Sequence, residues 1–255
     1  MEPFPPSSAA LAEPNGLLAV GGDLSAERLI AAYCRGIFPW FSEDDPILWW
    51  TPNPRAVLFP SEFHMSRSLR RDLRKGVCSL ATNQAFESVI RACAAPRARE
   101  SGTWISPDMM AAYTQLHRMG YAHSIEVYQQ EQLIGGLYGV AMGRVFFGES
   151  MFSKRPNASK TALAALALLG REGHIDLIDC QVESDHLSSL GARNVSREVF
   201  ENHLAQAIKS PMTSAHNQLS EDTLANPEAF TGPVGASVWE QLPSSTTELL
   251  LRWSR

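Results

Sequence analysis

Residues 144–181, RVFFGESMFSKRPNASKTALAALALLGREGHIDLIDCQ, place one long helix-forming run between two short apolar segments that each end in polar side chains. In a β-strand, residues i and i+2 point to the same face. A strand over HIDLIDCQ therefore puts Ile175, Leu177, Asp179 and Gln181 on one side, passing from apolar residues to a carboxylate and an amide. RVFFGES has the same layout, ending in Glu149 and Ser150 after Val145, Phe146 and Phe147. Between them, NASKTALAALALLGREG predicts a helix with Asn157 or Ser159 at its N-cap and Gly170 or Gly173 at its end. Strand, helix and strand bring the two polar ends toward one place, as where a core gives way to a cleft. The competing reading, in which Asp179 caps a turn and Glu149 is solvated, stays open at this point.

With 255 residues, 44% of them hydrophobic, the chain can build one large or two small cores. MEPFPPSSAALAEPNG has neither the basic n-region nor the apolar h-region of a secretory signal, and TALAALALL is too short to cross a bilayer. Cys34, Cys78, Cys93 and Cys180 lie far apart with no CxxC pair, and the seven histidines form no HExxH. A metal site or disulfide framework is therefore not expected, and a reducing cytoplasm fits. A formal net charge of −5 argues against a coat of positive charge for nucleic acid, though not against a local patch.

Earlier in the chain, SAERLIAAYCRG predicts a helix from Ser25 to Gly36, with Leu29, Ile30 and Tyr33 in the core. GIFPWFSEDDPILWWTPNPRAVLFP holds Trp40, Trp49 and Trp50 among five prolines, which implies rings held by loops, either as core anchors or as ligand-stacking surfaces. The stiff PNP at 52–54 marks a domain boundary. In HMSRSLRRDLRK, Met65, Leu69 and Leu73 share one helical face while Arg67, Arg70, Arg71 and Arg74 spread over the opposite one. Such a face is either solvated or suited to a row of phosphates. AFESVIRACAA and SPDMMAAYTQLHRMG predict two more helices, the second with Ser106 at its N-cap, Pro107 at N1 and Gly120 past its end. HSIEVYQQEQLIGGLYGVAMGRVFFGES alternates like an antiparallel meander with turns at QQEQ and MG, and HLSSLGARNVSREVFENHLAQAIKS offers a loop and a last helix. From 211 to 255 the composition turns to Ser, Thr, Pro and acids, predicting a disordered tail in which Trp239 and Trp253 are too isolated to build a core.

The motifs GGDLSAERLIAAYCRGIFPWF, ILWWTPNPRAVL, GTWI, HSIEVY, GESMFS, NASKTAL and LIDCQ followed by DHLSSLGA occur in an order that resembles the bacterial leucyl/phenylalanyl-tRNA–protein transferases, from about residue 13 to about residue 205. The resemblance implies an α+β chain: a small N-terminal domain (1–54), a GNAT-like acyltransferase domain (55–210) with a mixed sheet flanked by helices, and the tail. It implies transfer of leucine or phenylalanine from Leu-tRNA or Phe-tRNA to proteins with N-terminal Arg or Lys, marking them for degradation, by a cytoplasmic monomer without cofactor, metal or membrane. Carried over by motif, Trp40 and Trp104 flank the terminal adenosine. Phe146, Glu149, Ser150, Met151, Leu163, Leu166 and Ile178 line the amino-acid pocket. Arg67, Arg71 and Arg74 hold the acceptor stem, and Asp179 with Gln181 form the catalytic pair.

The chemistry suits that site. An α-amine with a pKa of about 7.7–8.0 is partly neutral at physiological pH and the aminoacyl ester is already activated, so the main task is to hold the two together. Gln181 is too weak a base to keep a proton and is expected to orient the amine through its carbonyl oxygen, with Asp179 fixing its amide directly or through water. Glu149 is expected to accept the donor's α-ammonium in an apolar pocket. An acyl-CoA N-acetyltransferase would need a glycine-rich pyrophosphate loop where SKRPNASK stands, and a Fem-type aminoacyl transferase would carry two such domains. A non-catalytic RNA-binding module gives no reason for Asp179 and Gln181.

Overall fold

The structure is a computed structural model that describes residues 2–95, 104–209 and 236–254. Its elements in chain order are β1 (Leu17–Val20), α1 (Ala26–Tyr33), β2 (Phe38–Pro39), β3 (Leu48–Trp50), β4 (Arg55–Leu58), α2 (Arg67–Arg74), β5 (Ser79–Thr82), α3 (Phe86–Ala94), α4 (Pro107–Arg118), β6 (Ala122–Gln129), β7 (Gln132–Met142), β8 (Val145–Ser153), α5 (Ala158–Arg171), β9 (Leu177–Gln181), α6 (Asp185–Ser188), β10 (Arg193–Val195), α7 (Arg197–Lys209), α8 (Ala236–Trp239) and α9 (Thr246–Trp253).

The meander forms as the alternation predicts: β6, β7 and β8 pair antiparallel, with Gln130 and Glu131 at positive φ in the first turn. The helix after it returns the chain so that β9 lies parallel to β8. Seven strands result, in the order β10-β4-β9-β8-β7-β6-β5, and the sheet is mixed with helices on both faces. A second sheet of three strands, β1-β3-β2, comes from residues 17–50.

Alternation sorts the apolar residues of the large sheet into two cores. Val57, Phe147 and Leu177 face the core shared with α1, α3, α4 and α7. Leu58, Phe146 and Ile178 face the core shared with α5. In α5, Leu163, Leu166, Leu168 and Leu169 are buried, each contributing roughly 1.5–3 kcal/mol. Its alanines let it lie close to the sheet: a Cβ on Gly135 would stand 2.5 Å from the Cβ of Ala158. Neither proposed capping side chain caps α5. Asn157 sits at the N-cap with φ 63° and no capping bond, and its amide instead donates to Asp72 of α2 at 2.7 Å.

The fold corrects three expectations. Trp49 and Trp50 are held by β3, the central strand of the small sheet, because Pro46 and Pro52 flank that strand rather than interrupt it. The segment 193–195, expected as loop, is β10, an edge strand against β4. Neither has a local pattern, since three residues are too few to alternate.

The third correction concerns the C-terminal segment. Residues 210–235 lie outside the described residues, but α8 and α9 are helices whose tryptophans are buried. Trp239 stacks on His123 at 4.2 Å between ring centroids and meets Phe146 at 5.7 Å. Trp253 meets Phe63 edge-on at 5.3 Å and lies under the Arg171 guanidinium. Backbone bonds from Leu80 to Ser244 and from Thr246 to Cys78 tie the segment to β5. All these partners come from distant parts of the chain, so the segment's own composition could not reveal them.

Candidate active site

β8 and β9 pair only through Val145↔Leu177, Phe146↔Ile178 and Phe147↔Asp179, while β8 runs on to Ser153 against β7. The two strands part there, and a cavity of about 350 Å³ opens in the gap. Phe146, Met151, Leu163, Leu166, Ile178 and Leu137 make it apolar, Trp40 and Trp104 stand among its walls, and Glu149, Ser150, Asp179 and Gln181 supply polar groups. Every residue expected at the amino-acid pocket and in the catalytic pair lines this one space. Trp40 is 47% exposed at the cavity, whereas Trp49 is fully buried with its indole N–H donating to Gly21 O, which makes Trp49 a core anchor.

Both polar strand ends sit at β-bulges, which re-aim side chains. The β7–β8 register passes from Gly139↔Gly148 to Tyr138↔Ser150, making Glu149 the extra residue. A Cβ on Gly139 would stand 2.1 Å from the carbonyl oxygen of Phe147, so the bulge requires glycine there. The β4–β9 register passes from Val57↔Asp179 to Ala56↔Gln181, making Cys180 the extra residue, and Gln181 has φ 64°. Simple alternation therefore does not hold along HIDLIDCQ. Ile175, which precedes the strand, packs in the α5 core and Leu177 in the opposite one.

Asp179 is fully buried against Arg55 of β4, which donates from Nε at 2.8 Å and from Nη2 at 2.6 Å. The guanidinium lies between the rings of Phe38 and Phe200, at 4.7 and 4.5 Å. Asp179 Oδ1 also accepts the backbone N–H of Gln181 at 2.9 Å. Asp179 thus bonds the backbone of Gln181 and makes no direct bond to its side-chain amide, which corrects the direct form of the expectation. The amide is held by Glu149 instead: Gln181 Nε2 donates to Glu149 Oε1 at 3.0 Å. Gln181 Oε1 accepts no hydrogen bond among the described residues.

Glu149 is buried, 7% exposed, and also meets the hydroxyls of Tyr33 and Tyr113, each at 2.8 Å. Burial pushes its carboxyl up to about 7, against the pull of the two phenol hydrogen bonds. Tyr33, Tyr113 and Arg55 were not identified from the sequence as site residues. Tyr33 was placed in the core by spacing, and the only available signal was that a buried tyrosine hydroxyl needs a partner.

Arg67, Arg71 and Arg74 lie outside the cavity. All three are exposed on α2, whose Leu69 and Leu73 are buried as the spacing predicts, and none is in an ion pair among the described residues.

A family model described as leucyl/phenylalanyl-tRNA protein transferase matches residues 57–205, and one for the N-terminal domain of the same proteins matches residues 22–53. Curated proteins called leucyl/phenylalanyl-tRNA–protein transferase are similar over most of their length. One from Cellvibrio japonicus is 57% identical over 82% of this chain and 88% of its own. One from Syntrophobacter fumaroxidans is 59% identical over 80% and 87%. The chain belongs to the leucyl/phenylalanyl-tRNA–protein transferase family. It is accordingly a tRNA-dependent aminoacyltransferase. Among solved structures, one described as L-PGS from Bacillus licheniformis matches with a TM-score of 0.37 at 11% identity, over 62% of this chain and 51% of that one. Among the described residues, no helix is long and apolar enough to cross a membrane.

Proposed function

We propose that this transferase moves leucine or phenylalanine from its tRNA to the N-terminal amine of proteins beginning with Arg or Lys, tagging them for degradation in the cytoplasm. The observation that carries the reading is an apolar cavity, lined in part by two tryptophans, with Glu149 and Gln181 hydrogen-bonded to each other among its polar groups. The amino-acid side chain fills the apolar part, the terminal adenosine lies against Trp40 and Trp104, and the donor's α-ammonium meets Glu149. A pocket that selects by burial and fit separates leucine from phenylalanine weakly.

Gln181 acts through its free Oε1. With Nε2 engaged by Glu149, the carbonyl oxygen is left to accept a hydrogen bond from the attacking amine and aim its lone pair at the ester carbon. The amine's proton leaves through the adenosine 2′-hydroxyl or a water. Asp179 keeps its place as a positioning residue, holding the Gln181 backbone from a buried ion pair. The exposed arginines of α2 take the acceptor stem, and the parallel β8–α5–β9 unit is read as GNAT-like.

Single-turnover transfer of radiolabelled phenylalanine from Phe-tRNA to an Arg-initiated peptide, without CoA, ATP or metal, tests this reading. Gln181→Ala is expected to slow transfer about tenfold or more, the worth of one hydrogen bond of roughly 1.4 kcal/mol or above. Changing Arg67, Arg71 and Arg74 together is expected to lower the salt slope of tRNA binding by about two to three. Wild-type rates in Gln181→Ala remove the orienting role, and binding without transfer returns the chain to an RNA-binding module.

A further inference from the structure

Tyr33, Tyr113 and Glu149 close a ring of three oxygen–oxygen contacts. Tyr33 Oη stands 2.5 Å from Tyr113 Oη, Tyr33 Oη stands 2.8 Å from Glu149 Oε1, and Tyr113 Oη stands 2.8 Å from Glu149 Oε2. At these distances each contact needs a proton between its oxygens. Two phenols supply two protons. With an ionised Glu149, both phenols point at the carboxylate and the 2.5 Å tyrosine pair is left with lone pair facing lone pair. The third proton has one available source, the Glu149 carboxyl.

Gln181 fixes the direction of the ring. Its Nε2 donates to Oε1, which marks Oε1 as the carbonyl oxygen and places the acid proton on Oε2. Oε2–H then donates to Tyr113, Tyr113 to Tyr33, and Tyr33 to Oε1, so every oxygen in the ring both gives and receives as its chemistry allows.

We propose that the free enzyme holds Glu149 as a neutral carboxylic acid, closed into a three-proton ring with Tyr33 and Tyr113, and gives that proton up to solvent when the donor's α-ammonium docks against it. The release rests on the placement of the ammonium at Glu149 made above. On docking, no covalent bond changes. The acid proton leaves, the carboxylate pairs with the ammonium, and the two tyrosines, freed from their mutual contact, both donate to it. Tyr33 and Tyr113 are positioning residues. The ring keeps an empty apolar cavity from carrying an unpaired buried charge.

The surroundings agree. Facing Glu149 are Tyr33 of α1, Tyr113 of α4, Tyr138 of β7, Asp179 of β9 and Arg55 of β4. Burial raises the carboxyl, Tyr113 and Tyr33 lower it, Asp179 raises it and Arg55 lowers it, leaving it at about 7. Burial and Glu149 hold both ring phenols well above the ordinary tyrosine value, so they keep their protons. Where binding releases one proton, affinity for the donor rises about tenfold per pH unit, and it levels off above the free-enzyme value.

Infrared difference spectroscopy of the full chain at pH 6, with a 3′-amide-linked phenylalanyl-adenosine as the probe, tests the proposal. The expected result is a protonated-carboxyl carbonyl band that is absent in Glu149→Gln and lost on saturation. Calorimetry in buffers of different ionisation heat should record about one proton released per site. Tyr33→Phe opens the ring by removing the bond that Tyr33 donates to the carbonyl oxygen Oε1, so the band should move to higher wavenumber than in the wild type. A free enzyme with no such band overturns the ring. A band that survives saturation without proton release overturns the release. In that case, undiminished probe binding by Glu149→Gln shows that the ammonium placement itself failed, and weakened binding shows that the placement stands.

Discussion

The two faces of the seven-strand sheet are built from the same strands and solve opposite problems. The α5 face is a nearly apolar core closed by Trp239 and Trp253, and it buries the neutral His123 stacked on Trp239. The other face buries Arg55, Asp179, Glu149, Tyr33 and Tyr113 beside the cavity. The contrast teaches where stability is made and where it is given up. Apolar burial stabilises without needing a partner, whereas these buried charged and hydroxyl groups of the opposite, more polar face are tolerable only while their partners stay in place.

The largest test of that contrast is Asp179→Ala. It leaves the fully buried Arg55 guanidinium uncompensated between Phe38 and Phe200, and a loss of roughly 3–5 kcal/mol is expected in denaturant unfolding. The double replacement Asp179→Leu with Arg55→Met should recover most of that stability while transfer stays impaired. A double variant as unstable as the single would mean the pair contributes packing that apolar side chains cannot replace.

On the apolar face the corresponding change is Trp239→Ala, with an expected loss of about 3 kcal/mol, at the low end for a buried tryptophan because a four-residue helix can settle into the space. Single-turnover transfer well below the melting temperature should fall less than in Asp179→Ala, since Trp239 does not line the cavity itself and reaches it only from behind Phe146. Equal losses of transfer in this variant and in Asp179→Ala would break the division between the faces.

How far each face could be read from the sequence follows the same division. The meander, α5 and the apolar stripe of α2 were legible because they repeat at strand or helix period over many residues. Ser25 and Ser106 were legible as N-caps, and both accept the capping bond, from Arg28 and Met109. The cavity lining was legible through the family's motifs, and its polar groups because they cluster at two strand ends. Its electrostatics were not. Arg55 reaches Asp179 across 124 positions and Tyr33 reaches Glu149 across 116, and the bulges at Glu149 and Cys180 break the period that strand reading relies on. Trp239 and Trp253 were misread for a related reason: composition describes a segment, while burial depends on what it meets.

The faces also respond to pH with opposite sign. Burial holds His123 down at about 3 against an ordinary 6.5, and raises Glu149 to about 7 from an ordinary 4.5. Between pH 3 and 6.5 the unfolded chain binds the His123 proton and the folded one does not, so this group makes stability rise with pH. Between pH 4.5 and 7 the folded chain holds the Glu149 proton and the unfolded one has lost it, so this group makes stability fall as pH rises. Across pH 4.5–6.5 one proton on each side cancels the other. Glu149→Gln is therefore expected to steepen the rise of stability with pH by about 1.4 kcal/mol per unit relative to wild type over that window. His123→Phe should tilt it the other way by a similar amount, and its stacking on Trp239 is retained by the phenyl ring. Urea unfolding of the three proteins at half-unit pH steps measures both slopes. Parallel curves for Glu149→Gln and wild type would mean that Glu149 is already ionised at pH 5 in the folded chain, which would remove its neutral state from the polar face.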